Sequence, residues 1–155
     1  MNELTIWLTY HDERQIQEFG LKESDTIRLF TMYYVWKNRI ESRQIGFCHY
    51  RRVFRDFFEV EKGQCQVISI NYGSPVFQHY KVAHNYQDMY DAVDVLNELY
   101  GDKNPYSQYL LKGNVFIPFC CFIMQYADFE KLCEFLFPVL FAWDKKNGLD
   151  MNPAR

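Results

Sequence analysis

Apolar and polar positions alternate from the start of the chain. Leu4–Tyr10 (LTIWLTY) is rich in β-formers and reads as a strand. Asp12 then suits the N-cap of a short helix through Phe19, closed by Gly20. Thr26–Asn38 is apolar on nearly every side, as a buried helix is. Gln44–Tyr50 and Gln66–Asn71 read as further strands, and Val76–Ala83 as a short helix. Met89, Ala92, Val93, Leu96, Leu99 and Tyr100 fall on one helical face that stops at Gly101. Phe129, Leu132, Cys133, Leu136, Val139, Leu140 and Trp143 repeat that spacing in a longer helix, capped by Asp128 and expected to kink or break at Pro138. Val115–Met124 (VFIPFCCFIM) is almost wholly apolar and suits a strand covered on both faces. Strands alternating with helices predict an α/β fold with a mostly parallel sheet flanked by helices, in a single compact domain over residues 1–155.

Composition narrows the function classes. The 155 residues carry a net charge of -3, without the basic field of a nucleic-acid binder, so no nucleic-acid partner is expected. No stretch approaches the ~20 apolar residues of a membrane span, and the first residues lack the plan of a signal peptide. Five cysteines with no CxxC pair (Cys48, Cys65, Cys120, Cys121 and Cys133) fit free, mostly buried thiols in a reducing compartment. The expected location is therefore cytoplasmic, peripheral contact with the inner face of the membrane included. Phosphate-cradling glycine loops, GxSxG and HExxH are missing. Aromatic residues reach 19%, which suits a crowded core, a ring-stacking site or an interface alike.

Chemistry concentrates at strand ends. His49-Tyr50-Arg51-Arg52 follows the apolar strand directly. Ligands of open α/β sheets bind beyond the carboxyl ends of strands, and arginine's planar fork suits phosphate. The competing reading is a solvated basic turn with Arg51 or Arg52 paired to Asp56 or Glu59. Tyr10-His11 ends the first strand, where Tyr can stack on a base and His can bond a phosphate or hydroxyl; a solvent-facing His is the alternative. Tyr80 and His84 lie four apart, so His84 is a candidate base or sugar ligand, or else a structural His. Asp88, Asp91 and Asp94 recur every third residue, read best as a solvated acidic face with Asp88 as an N-terminal cap.

Three blocks together resemble one family. They are Thr31-Met32-Tyr33-Tyr34-Val35-Trp36-Lys37-Asn38, then Ile45-Gly46-Phe47-Cys48-His49-Tyr50-Arg51-Arg52-Val53-Phe54, then Phe122-Ile123-Met124 followed by Leu136-Phe137-Pro138-Val139-Leu140. The chain is similar to the bacterial glycosyltransferases of capsular and exopolysaccharide biosynthesis, formerly a domain of unknown function. That resemblance implies a GT-A-like (Rossmann-like) fold and an enzyme that transfers a sugar from a nucleotide-diphosphate donor, a UDP-sugar first, to a saccharide acceptor, a lipid-linked one included. The pathways implied are those of capsule, exopolysaccharide or lipopolysaccharide O-antigen. In many GT-A enzymes the corresponding strand ends in Asp-x-Asp and holds a metal. Here it ends in His49-Tyr50-Arg51-Arg52, so Arg51 and Arg52 are expected to take over the metal's charge role, and no divalent metal is expected. Tyr10, His11 and Tyr50 would line the nucleotide. His49 and His84 would contact the sugar or move a proton, with Asp88 as a further candidate base. Family members often carry a longer stretch before the Trp-Lys-Asn helix and usually continue beyond the Leu-Phe-Pro helix, so the resemblance implies a short member: a compact one, a C-terminally truncated one or a degenerate copy. The alternative function is a non-catalytic remnant that binds carbohydrate or a partner.

Overall fold

The computed structural model describes residues 3–9, 26–27, 31–49, 52–118 and 120–147. They form two compact units, one of residues 1–68 and 117–134, the other of residues 69–116 and 135–155. The expected helix over Asp12–Phe19 lies outside the described residues.

The first unit is built on a five-stranded sheet. Its strands are β1 (Leu4–Thr9), β2 (Thr26–Ile27), β3 (Gln44–His49), β4 (Cys65–Val67) and, later in the chain, Phe122–Gln125. One helix, α1 (Thr31–Lys37), precedes β3. Thr26-Ile27 is thus a strand, not the start of the expected helix, and pairs in parallel with Leu8-Thr9. Arg39 ends α1 with φ at 48°, and Ile40 N–H donates to Val35 O at 3.0 Å, closing the last turn.

The second unit holds a two-stranded sheet of β5 (Ile70–Asn71) and β6 (Val115–Phe116), whose antiparallel register sets Ile70 opposite Phe116. Three helices belong to it: α2 (Val76–Ala83), α3 (Tyr86–Tyr100) and α4 (Pro105–Lys112). The remaining elements are β7, the Phe122–Gln125 strand, and α5 (Tyr126–Asn147). Helix α5 gives its first residues to the first unit and those from Phe135 onward to the second.

The fold is α/β and GT-A-like, with the large sheet in the order β2-β1-β3-β7-β4. β1 pairs in parallel with both β2 and β3, while β7 runs antiparallel to β3 and β4. β3 is the middle strand, and Gln44 to Cys48 are all buried, which is why the segment reads as a continuous apolar run. Phe47 packs on Phe122 and Phe129 with ring centroids 5.2 and 5.3 Å apart, beside fully buried Ile45, Val35 and Ile123. Buried Gln44 accepts a bond from Val60 N–H at 3.1 Å, tying the irregular 53–64 segment to the strand.

Two expected strands are divided. Gln66–Asn71 splits into β4 and β5, and Val115–Met124 into β6 and β7, each half in a different sheet. In the second case buried Pro118 has no N–H for a ladder, and Cys120 takes φ at 49°. Helix α5 begins at Tyr126, so Asp128 lies within its first turn; its carboxylate accepts from Gly63 N–H at 2.6 Å. The helix continues through Pro138, which lies on the exposed side with Glu134, so the unmade backbone bond faces water.

In the second unit α3 buries Val93, Val95 and Leu96. Its N-cap is Asn85, whose side chain accepts from Gln87 N–H at 3.1 Å, rather than Asp88. Helix α4 has no counterpart among the sequence expectations. Buried Asn104 caps it by accepting from Ser107 N–H at 2.9 Å, and its amide donates to Leu96 O and Gly101 O at 3.1 and 2.9 Å. No described helix is long and apolar enough to cross a membrane.

Candidate functional site

In the first unit, the carboxyl ends of the parallel strands meet at one rim. The chain passes from β1 to β2 on one side of β1, then crosses to β3 on its other side. This reversal of direction is a topological switch point, and it falls between β1 and β3. The register places Thr9 opposite His49 at that point. Tyr10 and His11 follow Thr9 in sequence, and Tyr50 and Arg51 follow His49; these four lie outside the described residues.

His49 is half-buried at the end of β3, and the backbone turns there: Arg52 N–H donates to His49 O at 2.8 Å. Cys121, fully buried beside β7, clasps the turn from both sides. Its Sγ accepts from His49 N–H at 3.4 Å, and its thiol donates to Arg52 O at 3.8 Å. Arg52 is exposed past this clasp. Glu59, one of the expected partners for the arginines, pairs with Arg43. Cys48 lies just before the turn, and burial pushes its thiol up to about 11. None of the five cysteines is in a disulfide; Cys48, Cys121 and Cys133 are buried, Cys65 and Cys120 exposed.

His84 and Asp88 belong to the second unit. His84 terminates α2, its N–H donating to Tyr80 O at 2.9 Å, and its ring packs against Tyr80 at 4.7 Å. Asp88 is half-buried in the first turn of α3. It accepts from Asn85 Nδ2 at 3.2 Å, and its carbonyl accepts from Trp143 Nε1 at 3.4 Å. Asp91 accepts from Gln87 at 3.0 Å, and Asp94 pairs with Lys146 at 3.6 Å; of the acidic repeat only Asp94 is exposed, while Asp88 and Asp91 are half-buried. Burial, followed by the charge of Asp88, raises the Tyr80 hydroxyl above its usual range.

Sequence reasoning missed the surroundings of Tyr80. A cavity of about 170 Å³ is lined by Tyr72, His79, Tyr80, His84 and Phe116. Tyr72 stacks on the His79 imidazole at 3.7 Å, and Ser74 Oγ lies 3.0 Å from His79 Nε2. Tyr80 also borders a second cavity of about 290 Å³, with Asp88, Met89, Ala92, Leu110 and Trp143. His79 stood next to the Tyr80 signal in sequence, whereas Tyr72 and Phe116 arrive through the β5–β6 pairing. Among the described residues no three His, Cys, Asp or Glu side chains cluster closely enough to hold a metal ion.

The apo structure of the bifunctional glycosyltransferase WbbM matches 98% of this chain with a TM-score of 0.65 at 15% identity. The match covers 38% of that chain, so the present chain spans well under half the length of the glycosyltransferase it resembles. No protein of curated function matches the sequence. The chain belongs to the family described as a domain of unknown function (DUF4422), whose model matches residues 22–71 and 64–153.

Proposed function

We propose that this chain is a nucleotide-sugar-dependent glycosyltransferase domain. It would transfer a sugar from a nucleoside-diphosphate donor, a UDP-sugar first, to a saccharide acceptor of capsule, exopolysaccharide or lipopolysaccharide O-antigen. The observation that carries the reading is the switch point between β1 and β3, where a basic turn follows the strand end and the fold is that of part of a glycosyltransferase.

The chemistry assigns the roles. The acceptor oxygen bonds to the anomeric carbon as the bond to the diphosphate breaks, so negative charge grows on the leaving oxygens. Fixed cations stabilise that charge more in the transition state than in the ground state. Arg51 and Arg52 are the cations offered, and the Cys121 clasp holds Arg52's backbone in place. Tyr10, His11 and Tyr50 would hold the nucleotide. His49 is the candidate for the acceptor proton at this rim; His84 and Asp88 are the candidates of the second unit.

A thermal-shift panel of UDP-, GDP- and CMP-sugars tests the reading. At least one donor should raise the melting temperature by mass action, and Arg51→Ala should remove the response while the unliganded melting point holds. Silence toward every donor overturns it and favours a carbohydrate- or partner-binding remnant. The metal-free form of the proposal fails separately if EDTA abolishes the response and manganese restores it.

A further inference from the structure

We propose that the aromatic cleft of the second unit is a binding subsite for one neutral sugar ring, with Tyr72 and Tyr80 as its walls and His84 as its polar contact. It rests on the transferase reading for its place in a reaction, but the cleft supplies its own argument.

Size comes first. The cavity of about 170 Å³ lies below the ~300–1,000 Å³ of sites for larger organic ligands, and so suits a single ring. Its walls are amphipathic. Tyr72, Tyr80 and Phe116 offer apolar ring faces, while the two tyrosine hydroxyls and the His84 imidazole offer polar tips. Among the described residues none hydrogen-bonds those hydroxyls or that imidazole, so they are available to a ligand. A sugar ring matches this pattern, with C–H groups on its faces and hydroxyls around its edge.

The lining bears on the rivals. No Lys, Arg, Asp or Glu lines the cavity, so it carries no fixed charge to pair with a phosphate or a uronate, and its polar contacts are the two imidazoles and the tyrosine hydroxyls. A nucleobase inserted between two parallel rings needs about 7 Å between them, twice the usual contact distance. Tyr72 and His79 are already in contact at 3.7 Å, and Tyr72 and Phe116 stand 6.1 Å apart with planes 16° from parallel. Neither pair admits an inserted ring, base or sugar, so a ligand lies against an outer ring face or against Tyr80, and the nucleoside counter-probes below decide between base and sugar.

Saturation-transfer NMR on the whole chain tests this, with methyl β-D-glucopyranoside, methyl β-D-galactopyranoside and methyl α-D-mannopyranoside as probes and uridine and adenosine as counter-probes. One or more glycosides should receive saturation and the nucleosides should not compete for it. His84→Ala removes an exposed side chain and Tyr80→Phe only a hydroxyl, so both should fold; each should weaken the glycoside roughly 3- to 10-fold, the worth of one hydrogen bond. Lys131→Ala, an exposed side chain of the first unit, should leave glycoside binding unchanged. The subsite is overturned if no glycoside binds, if a nucleoside displaces the glycoside, or if both cleft variants keep wild-type affinity. Glycoside binding that survives a complete lack of donor binding supports the subsite and removes the transferase reading.

Discussion

Gly46 sits in the middle of β3, with β1 on one side and β7 on the other. A Cβ built there would come within 3.0 Å of Ile123 Cγ1, 3.2 Å of Phe122 O and 3.4 Å of Ile6 Cγ1. Neither of the first two can retreat freely, since Ile123 is fully buried and Phe122 O is backbone of the neighbouring strand. Overpacking of this kind costs ~1–3 kcal/mol, and the stiffer unfolded chain of an alanine variant offsets ~0.4–1 kcal/mol of it. Gly46→Ala should therefore destabilise by about 1–2 kcal/mol. At a typical urea dependence this lowers the midpoint by ~0.5–1 M, and the melting temperature by roughly 2–8 °C for a chain of this length. Urea titration followed by far-ultraviolet circular dichroism measures it. A midpoint unchanged or raised, at unchanged slope, refutes the claim that the small residue is required by the close approach of β3 and β7.

Two further outcomes follow from the packing. Asn104→Ala removes the cap of α4 and the amide's bonds to Leu96 O and Gly101 O, an expected loss of ~2–3 kcal/mol; Asn104→Asp keeps the cap but sets a buried carboxylate oxygen against those same acceptors, so it should not recover the loss. Burial raises the Cys133 thiol from 9.0 to about 12 and Cys48 to about 11. Above pH 9 the folded chain then holds protons that the unfolded chain releases, so stability present below pH 9 should fall as pH rises from 9 toward 12, as denaturation at stepped pH would show. Double substitution of both thiols by alanine should flatten that slope, and a slope left unchanged would contradict the assignment.

Much of the fold was legible where local pattern decides. Val76–Ala83 emerges as a helix over the expected residues, and β1 and β3 lie where alternation and a continuous apolar run put them. Pattern failed where long-range pairing decides. The apolar run from Val115 to Met124 carries no sign that its two ends join different sheets, beyond Pro118. Helix α4 went unread because its burial is slight, although Asn104-Pro105 is a cap followed by a first-turn proline. At the candidate site, the His-Tyr-Arg-Arg run after an apolar strand was readable as chemistry at a strand end. The Cys121 clasp was not, because its partners lie 72 and 69 positions away. Some of the aromatic surplus is core, as at Phe47, Phe77, Phe122, Phe129 and Phe137, but Phe57, Phe58 and Phe141 are exposed.

The central claim is a place, the switch point at the ends of β1 and β3, and hydrogen exchange with and without a saturating nucleotide-sugar reads that place directly. Peptides covering residues 4–14 and 44–54 should exchange more slowly with donor bound, and Arg51→Ala should abolish the protection. Protection confined to peptides from residues 72–92, or none under donor saturation, would contradict the account.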